Sequence, residues 1–231
     1  MHLIFVTGDT HGGTDIAKLN SKLFAEERFL SKNDYVIIAG DFGFLQDFRN
    51  ADSYWLKWFQ EKNFTTLFVD GNNENFELLS RYPIDLWRGG KVHMISDSII
   101  HLMRGQVFDF DGIKIFTFGG AKSKGIEHKI ENGCWWQEEM PSEEEYIEGK
   151  KILEQYNWTV DFIITHSCPG TALEHIRCQC GIKGKANELH DYFDELCRKM
   201  KCNQWYFGHY HFDLKLPDKM TLLFNRVERI I

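Results

Sequence analysis

The segment TTLFVDGNNENFELL, residues 65–79, changes within a few positions from an apolar strand to a cluster of polar side chains. Residues 65–69 are apolar or β-branched, as in a strand that is buried on both faces. Gly71, Asn72, Asn73 and Glu74 follow at once, and glycine there permits a sharp turn and a close approach of the backbone. The segment therefore predicts a buried strand with functional side chains at its carboxyl end.

Four other segments have the same organisation. Residues 2–7, 35–39, 161–165 and 204–207 are apolar almost throughout, which predicts further strands of one central sheet. The side chains that follow them are Asp9 and His11, Asp41, His166, and His209 and His211. Ligands bind outside the carboxyl ends of the strands in open α/β sheets, so we expect all five strand ends to converge on one site.

The remaining segments predict helices and a second sheet. Tight turns between alternating runs at 106–118 and 214–224 indicate two hairpins, which predict a second, antiparallel sheet or sheet edge. Residues 120–141 have no clear period and predict a long surface loop. Ser142 and Glu145 are spaced as a capping box that opens a helix. The predicted helices are 14–30, 46–62, 73–81, 142–156 and 186–200.

Composition and charge exclude several classes of protein. The chain has 231 residues, of which 43% are hydrophobic and 26% charged, and this predicts a single α/β domain over residues 1–231. The net charge of -7 repels phosphate backbones and disfavours a long nucleic acid as partner. No window approaches the roughly 18 consecutive apolar residues of a membrane span. The amino terminus lacks the basic start of a signal peptide, so we expect a cytoplasmic protein.

Six cysteines are expected to remain thiols in that compartment. The alternative is a zinc site made from Cys178, Cys180, Cys197 and Cys202. Their spacing is not Cys-x-x-Cys, so the sequence favours thiols. The sequence leaves the oligomeric state open.

The polar residues at the strand ends form a candidate metal-ligand set. Two carboxylates, four imidazoles and one amide are too many for one ion of coordination four to six, but they suit two ions that share a bridging carboxylate. Asp41 stands alone in sequence between the other groups and is the natural bridge. Imidazoles favour manganese, iron or zinc over magnesium or calcium, and we place manganese first. Two divalent ions against two aspartates would attract a phosphate ester, and a water between the ions would provide the nucleophile.

The ordered motifs resemble those of the calcineurin-like metallophosphoesterase superfamily from residue 9 to residue 211. They are Asp9-x-His11, Gly40-Asp41, Gly71-Asn72-x-Glu74, His166 and Gly208-His209-x-His211. The resemblance implies a four-layer α/β/β/α sandwich with the metal site at the carboxyl ends of the central strands. It also implies that one metal is held by Asp9, His11 and His211, the other by Asn72, His166 and His209, and both by Asp41.

Two positions depart from the pattern of that superfamily. Phe44 stands where many members have a second acid, so we expect metal binding to survive that change. Asn73 stands where the family has a histidine that contacts phosphate and is thought to protonate the leaving group. An amide donates a hydrogen bond but cannot deliver a proton, and general acid catalysis is typically worth ~10²–10⁴-fold. Phosphodiesters or activated esters are therefore the expected substrates.

The sequence also leaves open further residue roles and two other functions. His128 could be a replacement acid, and Lys122 and Lys124 could meet phosphate, although a solvated loop is the simpler interpretation of that segment. The fold could instead carry a catalytically weak metal-binding interaction module. A protein phosphatase is disfavoured because no Arg follows Gly40-Asp41 in the manner typical of that branch. Keeping seven clustered polar groups without metal would cost stability, and this favours the enzyme.

Overall fold

A computed structural model describes residues 2–45 and 50–231 of the chain. Within these ranges there are thirteen strands, numbered in chain order. They are β1 Ile4–Thr7, β2 Tyr35–Ile38, β3 Thr65–Phe68, β4 Ile84–Trp87, β5 Gly90–Ser96, β6 Ile99–Leu102, β7 Gln106–Phe110, β8 Ile113–Phe118, β9 Phe162–Thr165, β10 Gln204–Phe207, β11 Leu214–Leu216, β12 Met220–Leu222 and β13 Val227–Arg229.

The same described ranges contain six α-helices and three short 3-10 helices. The α-helices are α1 Asn50–Gln60, α2 Phe76–Leu79, α3 Ile126–Glu131, α4 Glu143–Gln155, α5 Gly170–Cys180 and α6 Glu188–Lys199. The 3-10 helices are Ile16–Leu19, Ala25–Phe29 and Gln137–Glu139. None of the described helices is both long enough and apolar enough to cross a membrane.

The strands form two mixed sheets. In the described residues, the first sheet has the order β13-β1-β2-β3-β6-β5-β4 and the second has the order β11-β12-β10-β9-β8-β7. β1, β2 and β3 run parallel in the first sheet, and β8, β9 and β10 run parallel in the second. The prediction of one central sheet was therefore wrong, because β9 and β10 join the predicted hairpins. Both sheets are covered on both faces, so apolar content alone could not assign a strand to either.

Three layers of core separate the helices and the two sheets. Ile4 and Val6 face the second sheet, while Phe5 between them packs with Phe24 on the other side, as the alternation of a strand requires. α4, α5 and α6 cover the outer face of the second sheet through residues such as Leu153 and Phe193. The order helix, sheet, sheet, helix confirms the predicted α/β/β/α sandwich.

Two predicted helices match closely and three differ. α4 and α6 confirm the predictions for 142–156 and 186–200, and the capping box forms as Ser142 Oγ accepts from Glu145 N at 3.3 Å while Ser142 N donates to Glu145 Oε2 at 2.8 Å. α1 lies within 46–62, but residues 46–49 lie outside the described residues. The helix predicted from 73 begins only at Phe76, because Asn75 is its N-cap and residues 72–74 belong to the site.

The helix predicted at 14–30 was wrong. Two 3-10 helices replace it. Asn20 Oδ1 accepts hydrogen bonds from Lys22 N at 2.9 Å and Leu23 N at 3.0 Å, and such a local turn competes with helical hydrogen bonding. The loop predicted at 120–141 contains α3, and Ser123 and Glu139 in it are buried. α5 and the strands β4, β5, β6 and β13 were not predicted from the sequence.

β5 and β6 place two histidines against each other in the interior. His93 Nδ1 lies 3.0 Å from His101 Nδ1, and His101 Nε2 lies 3.2 Å from Asp70 Oδ1. Burial, followed by the nearby His101, lowers the pKa of His93 from 6.5 to about 4. His93 therefore stays neutral in the folded chain at pH values where it is protonated in the unfolded chain.

This difference predicts a loss of stability in acid. The unfolded chain binds the extra proton as pH falls below 6.5, so stability decreases between pH 6.5 and about 4. We expect His93→Gln to remove up to about 3 kcal/mol of that pH dependence. Urea unfolding at pH 7, 5.5 and 4.5 measures it, with the exposed His175→Gln as control. An unchanged pH profile in His93→Gln would contradict the expectation.

Candidate metal centre

The candidate ligands lie where strands of both sheets end. Asp9 and His11 follow β1, Asp41 follows β2, and Asn72 follows β3, all in the first sheet. The other ligands come from the second sheet, with His166 after β9 and His209 and His211 after β10. The structure thus brings all seven predicted side chains to one edge of the sandwich.

Asp9 is fully buried and is surrounded by imidazoles. Its Oδ2 lies 3.1 Å from His211 Nε2 and 3.7 Å from His11 Nε2. Its Oδ1 accepts a hydrogen bond from His209 N at 2.8 Å. Among the described residues, Oδ2 has no donor in hydrogen-bond geometry. A buried carboxylate oxygen without a donor is costly, so this atom fits a cation as its partner.

Asp41 lies between the two halves of the cluster. Its Oδ2 is 3.1 Å from His11 Nε2, and its Oδ1 is 3.5 Å from His166 Nε2. Asn73 holds the carboxylate from the other side, donating from its backbone N to Oδ1 at 2.8 Å and from Nδ2 to Oδ2 at 2.6 Å. Asp41 therefore faces both groups of candidate ligands.

His166 is oriented by the neighbouring strand. Its Nδ1 lies 2.8 Å from the carbonyl oxygen of Ala39, an acceptor that assigns the proton to Nδ1. Its Nε2 then faces the cluster as a lone-pair donor, 3.3 Å from Asn72 Oδ1. The His209 ring lies 4.9 Å from the His166 ring, centroid to centroid. Carbonyl-held histidines of this kind are typical of metal ligands.

Four of the seven residues have a left-handed backbone. The φ angles are 44° at His11, 47° at Asp41, 72° at His209 and 57° at His211. Such backbone conformations are unfavourable for residues other than glycine, and they concentrate at functional sites. The chain accepts this strain where it turns after each strand and directs the side chains into the cluster.

Two glycines make the close packing of the site possible. A Cβ on Gly40, whose φ is 94°, would lie 2.0 Å from His166 Nδ1. A Cβ on Gly71 would lie 2.1 Å from Asp41 Oδ1. Both motifs therefore need glycine so that the ligand from the next strand can approach the backbone.

The charges of the cluster explain its titration. Burial lowers the pKa of His11, but the hydrogen bond that its ring donates to Asp41 and the negative charges of Asp41 and Asp9 raise it to about 9. Burial, followed by the proximity of His166, lowers the pKa of His209 to about 3. Burial opposes ionisation of Asp41, yet His166 and His11 hold its pKa far below the usual range. The carboxylates thus stay anionic and demand positive charge, which protons or a metal ion can supply.

Two groups in the described residues have the geometry of a metal-binding cluster. Asp9, His11 and His211 form one, and Asp9, Asp41 and His166 form the other, with ligand atoms within 4.8 Å of one another in each group. The sequence model of the calcineurin-like phosphoesterase family matches residues 2–213. The chain belongs to the calcineurin-like phosphoesterase family.

Members of the calcineurin-like phosphoesterase family generally hydrolyse phosphate esters and typically bind divalent metals. The donor set seen here, two carboxylates with several imidazoles, fits that expectation. No curated protein matches the chain. One similar solved structure is a protein of unknown function, AQ665, from Aquifex aeolicus, at 13% identity and a TM-score of 0.38, over 87% of this chain and 88% of that chain.

The two departures from the family pattern have different surroundings. Phe44 is buried against Phe42 and Phe59, with ring centroids 5.0 Å apart in each case, so an acid there has been replaced by core packing. Asn73 lies at the cluster itself and contacts Asp41. Only the second departure changes a group that is near the candidate ligands.

Lys129 is a residue at the site that the sequence analysis missed. Its Nζ donates to Asn73 Oδ1 at 2.8 Å, to the carbonyl oxygen of Asn72 at 2.9 Å and to Ser123 Oγ at 2.6 Å. Ser123 Oγ in turn accepts from Asn72 Nδ2 at 3.1 Å. Lys129 lies on α3, in the segment predicted as a loop, and its side chain reaches the site only through tertiary packing.

Glu74 holds two loops of the site together. Its carboxyl accepts from Phe42 N at 2.7 Å, from Gly43 N at 3.1 Å and from Gly71 N at 3.4 Å. Burial raises the pKa of this carboxyl to about 8. The acid of the Gly-Asn-Asn-Glu motif therefore has a structural role, because it connects the loops after β2 and β3 by hydrogen bonds.

His128, considered as a replacement acid, and Lys122 and Lys124, considered as phosphate contacts, lie in different positions. The His128 side chain is 83% exposed, and it contacts Glu131 of the same helix and Asn132 at the end of that helix. Lys122 and Lys124 are exposed beside the candidate centre. All six cysteines are free thiols, and none joins a metal-like cluster in the described residues.

Proposed function

We propose that the chain hydrolyses phosphodiesters or activated phosphate esters at a binuclear metal centre. The observation that supports this most directly is the convergence of two buried carboxylates, Asp9 and Asp41, with four imidazoles drawn from separate strand ends of both sheets. A buried cluster of this kind has no role in packing and is unfavourable without a cation.

The proposed ligands divide into two sets joined by Asp41. Asp9, His11 and His211 hold one ion, and these three coincide with one of the two geometric groups. Asn72, His166 and His209 hold the second ion. Manganese is the first choice for both, with iron or zinc as alternatives. When bound, such ions supply a nucleophilic water at neutral pH and polarise the phosphoryl oxygens.

Asn73 and Lys129 determine which esters are suitable. Lys129 donates to Asn73 Oδ1, and this directs Asn73 Nδ2 toward Asp41. Asn73 can therefore orient a neighbouring group by hydrogen bonding, but it cannot give a proton to a departing alkoxide. Esters whose leaving groups need no proton are the substrates that suit such a site.

Hydrolysis of two chromogenic esters tests the proposal. The protein is stripped with chelator, reloaded with manganese and supplied with bis-p-nitrophenyl phosphate or p-nitrophenyl phosphate. Manganese-dependent turnover with a preference for the diester is expected. A protein that binds two ions but shows no turnover above an Asp41→Asn blank would indicate the alternative, a metal-binding interaction module.

Asn73→His is expected to restore part of the missing acid function. The gain is expected only for poor leaving groups, by up to ~10²-fold, the lower end of what a general acid contributes. Rates for a series of diesters with leaving groups of increasing pKa measure it. Asn132→His, at an exposed position at the end of α3, is the matched control. The same change for every leaving group would contradict the role given to Asn73.

A single domain and a cytoplasmic location stay predictions from the sequence, and the oligomeric state stays open. None of these three properties changes the chemistry of the site. Bis-p-nitrophenyl phosphate and p-nitrophenyl phosphate are small and need no partner, so the hydrolysis tests do not depend on these properties.

A further inference from the structure

A cavity opens beside the candidate metal centre. It has a volume of about 260 Å³, and His209, one of the proposed ligands, forms part of its wall. Ser123 also lines it, and Ser123 Oγ accepts a hydrogen bond from Asn72 Nδ2 at 3.1 Å. A molecule bound at the metal centre could therefore extend into this cavity without crossing the protein core.

The wall of this cavity is strongly basic. Lys122, Lys124, Lys183 and Lys185 line it, and no carboxylate does. Within residues 2–45 and 50–231, none of the four ammonium groups has an ion-pair partner, whereas Lys62, Lys91 and Lys150 elsewhere all pair with glutamates. Four lysines without an ion-pair partner in the described part of the chain thus line one cavity, in a protein whose net charge is -7.

The four lysines are exposed to solvent, and together they give the cavity a positive field that favours an anion. Like charges around a concave wall repel each other, and the concavity strengthens the field that they produce. The lysines come from two segments far apart in sequence, residues 122–124 after β8 and residues 183–185 between α5 and α6. Only the fold brings the two pairs together around one cavity.

Asn187, His190 and Tyr210 also line the cavity and form a connected polar group. His190 Nδ1 lies 2.7 Å from Asn187 Oδ1, and His190 Nε2 lies 3.0 Å from the Tyr210 hydroxyl. Asn187 also caps the amino terminus of α6 by accepting from Leu189 N at 3.1 Å and His190 N at 3.3 Å. These polar groups make hydrogen bonds to one another, so the recognition of an anion is left to the four lysines that line the cavity.

We infer that this cavity is a subsite for a second phosphate group of the substrate. The inference rests on the proposed function, because it places the scissile phosphate at the metal centre and the second phosphate among the four lysines. The natural substrate is then a phosphate ester that carries a further phosphate on one arm, as a nucleoside bisphosphate ester does. An ester with two uncharged arms fills only the metal centre.

Two esters that differ by one phosphate test the subsite. They are thymidine 5′-(p-nitrophenyl phosphate) and the same compound with a 3′-phosphate. In the manganese-loaded protein, the 3′-phosphate is expected to lower KM by roughly tenfold, the effect of several partly screened charges on one dianion, and added salt is expected to reduce the gain. A 3′-phosphate that leaves KM unchanged or raises it would overturn the inference.

Paired lysine variants assign the effect to the cavity. Lys183→Ala combined with Lys185→Ala is expected to abolish most of the gain from the 3′-phosphate and to leave the ester without it unchanged. Lys22→Ala combined with Lys151→Ala, two exposed lysines elsewhere, changes the net charge equally and is the control. A gain that survives in the first pair, or is lost equally in the control pair, would overturn the inference.

Binding without turnover separates the subsite from the proposed function. Titration of chelator-stripped protein with thymidine 3′,5′-bisphosphate is followed by calorimetry. Affinity that falls roughly tenfold in the Lys183 and Lys185 pair, but not in the control pair, supports the subsite even if neither ester is hydrolysed. Hydrolysis of both esters without lysine-dependent binding supports the enzyme and overturns the subsite.

Discussion

Asp41→Asn is expected to reduce manganese-dependent hydrolysis of bis-p-nitrophenyl phosphate by roughly 10³-fold or more, the scale seen when preorganised electrostatic stabilisation is lost. Asp41 is the one carboxylate within 3.5 Å of both His11 Nε2 and His166 Nε2 among the described residues. The amide keeps the shape of the side chain but removes the negative charge that both proposed ions share. The affinity of the protein for both ions should therefore fall in Asp41→Asn.

Metal binding and activity are measured on the same samples. Calorimetry with Mn²⁺ reports the number of ions and their affinity, and the diester assay reports the rate. Asp97→Asn, an exposed aspartate in the turn between β5 and β6, is the matched control and should retain both properties. Full activity in Asp41→Asn would remove the two-metal mechanism.

Arg104→Met is expected to lower the free energy of unfolding by roughly 3–5 kcal/mol, because it removes the guanidinium partner of a buried carboxylate and leaves only His101 to pair with it among the described residues. Arg104 Nε and Nη2 donate to Asp70 Oδ2 at 2.9 Å and 2.6 Å, and both side chains are almost fully buried. Burial raises the pKa of Asp70, but Arg104 and His101 outweigh it and hold that pKa below its usual range. The pair therefore keeps a charged aspartate in the interior.

The same guanidinium joins the site to the segment that covers it. Nη2 donates to the Glu138 carbonyl at 2.7 Å, and Nη1 donates to Glu145 Oε2 at 3.0 Å. Asp70 immediately precedes Gly71 of the Gly-Asn-Asn-Glu motif. Loss of Arg104 should thus loosen residues 120–141 as well as the loop after β3.

Urea unfolding at pH 7 measures the effect of Arg104→Met. Lys57→Ala removes an exposed pair whose Lys57 Nζ lies 3.9 Å from Glu61, and it should change stability by less than about 0.5 kcal/mol. Adding Asp70→Asn to Arg104→Met should recover part of the loss, since the buried negative charge that lost its guanidinium partner is then removed. A loss below about 1 kcal/mol in Arg104→Met alone would refute the buried-pair account.

Local sequence patterns were enough for the candidate site. Each ligand follows a short apolar strand directly, and strands of this length have few alternatives to a buried position. The spacing i, i+2 at Asp9 and His11, and again at His209 and His211, keeps paired ligands on the same turn. The candidate ligands could therefore be identified before any tertiary contact was known.

Local patterns were not enough for residues 14–30, which were predicted as one helix, or for residues 120–141, which were predicted as a loop. Lys18 is buried and donates hydrogen bonds to the carbonyl oxygens of Asp9 and Phe224. A lysine that the sequence would place on the surface therefore links two segments in the interior. Lys129 likewise has three acceptors that are remote or in a neighbouring loop. Such partners are invisible to periodicity because they depend on contacts across the fold.

The sequence alone determined the five strands that carry the motifs, the order of the motifs and the chemical types gathered at their ends, because turns after buried strands are encoded by adjacent residues. Only the tertiary structure decided that the five strands belong to two sheets, that Lys129 reaches Asn73, and that the lysine pairs at 122–124 and 183–185 share one cavity. These features depend on packing between segments distant in the chain. An apolar strand or an exposed lysine carries no local signal of its eventual neighbour.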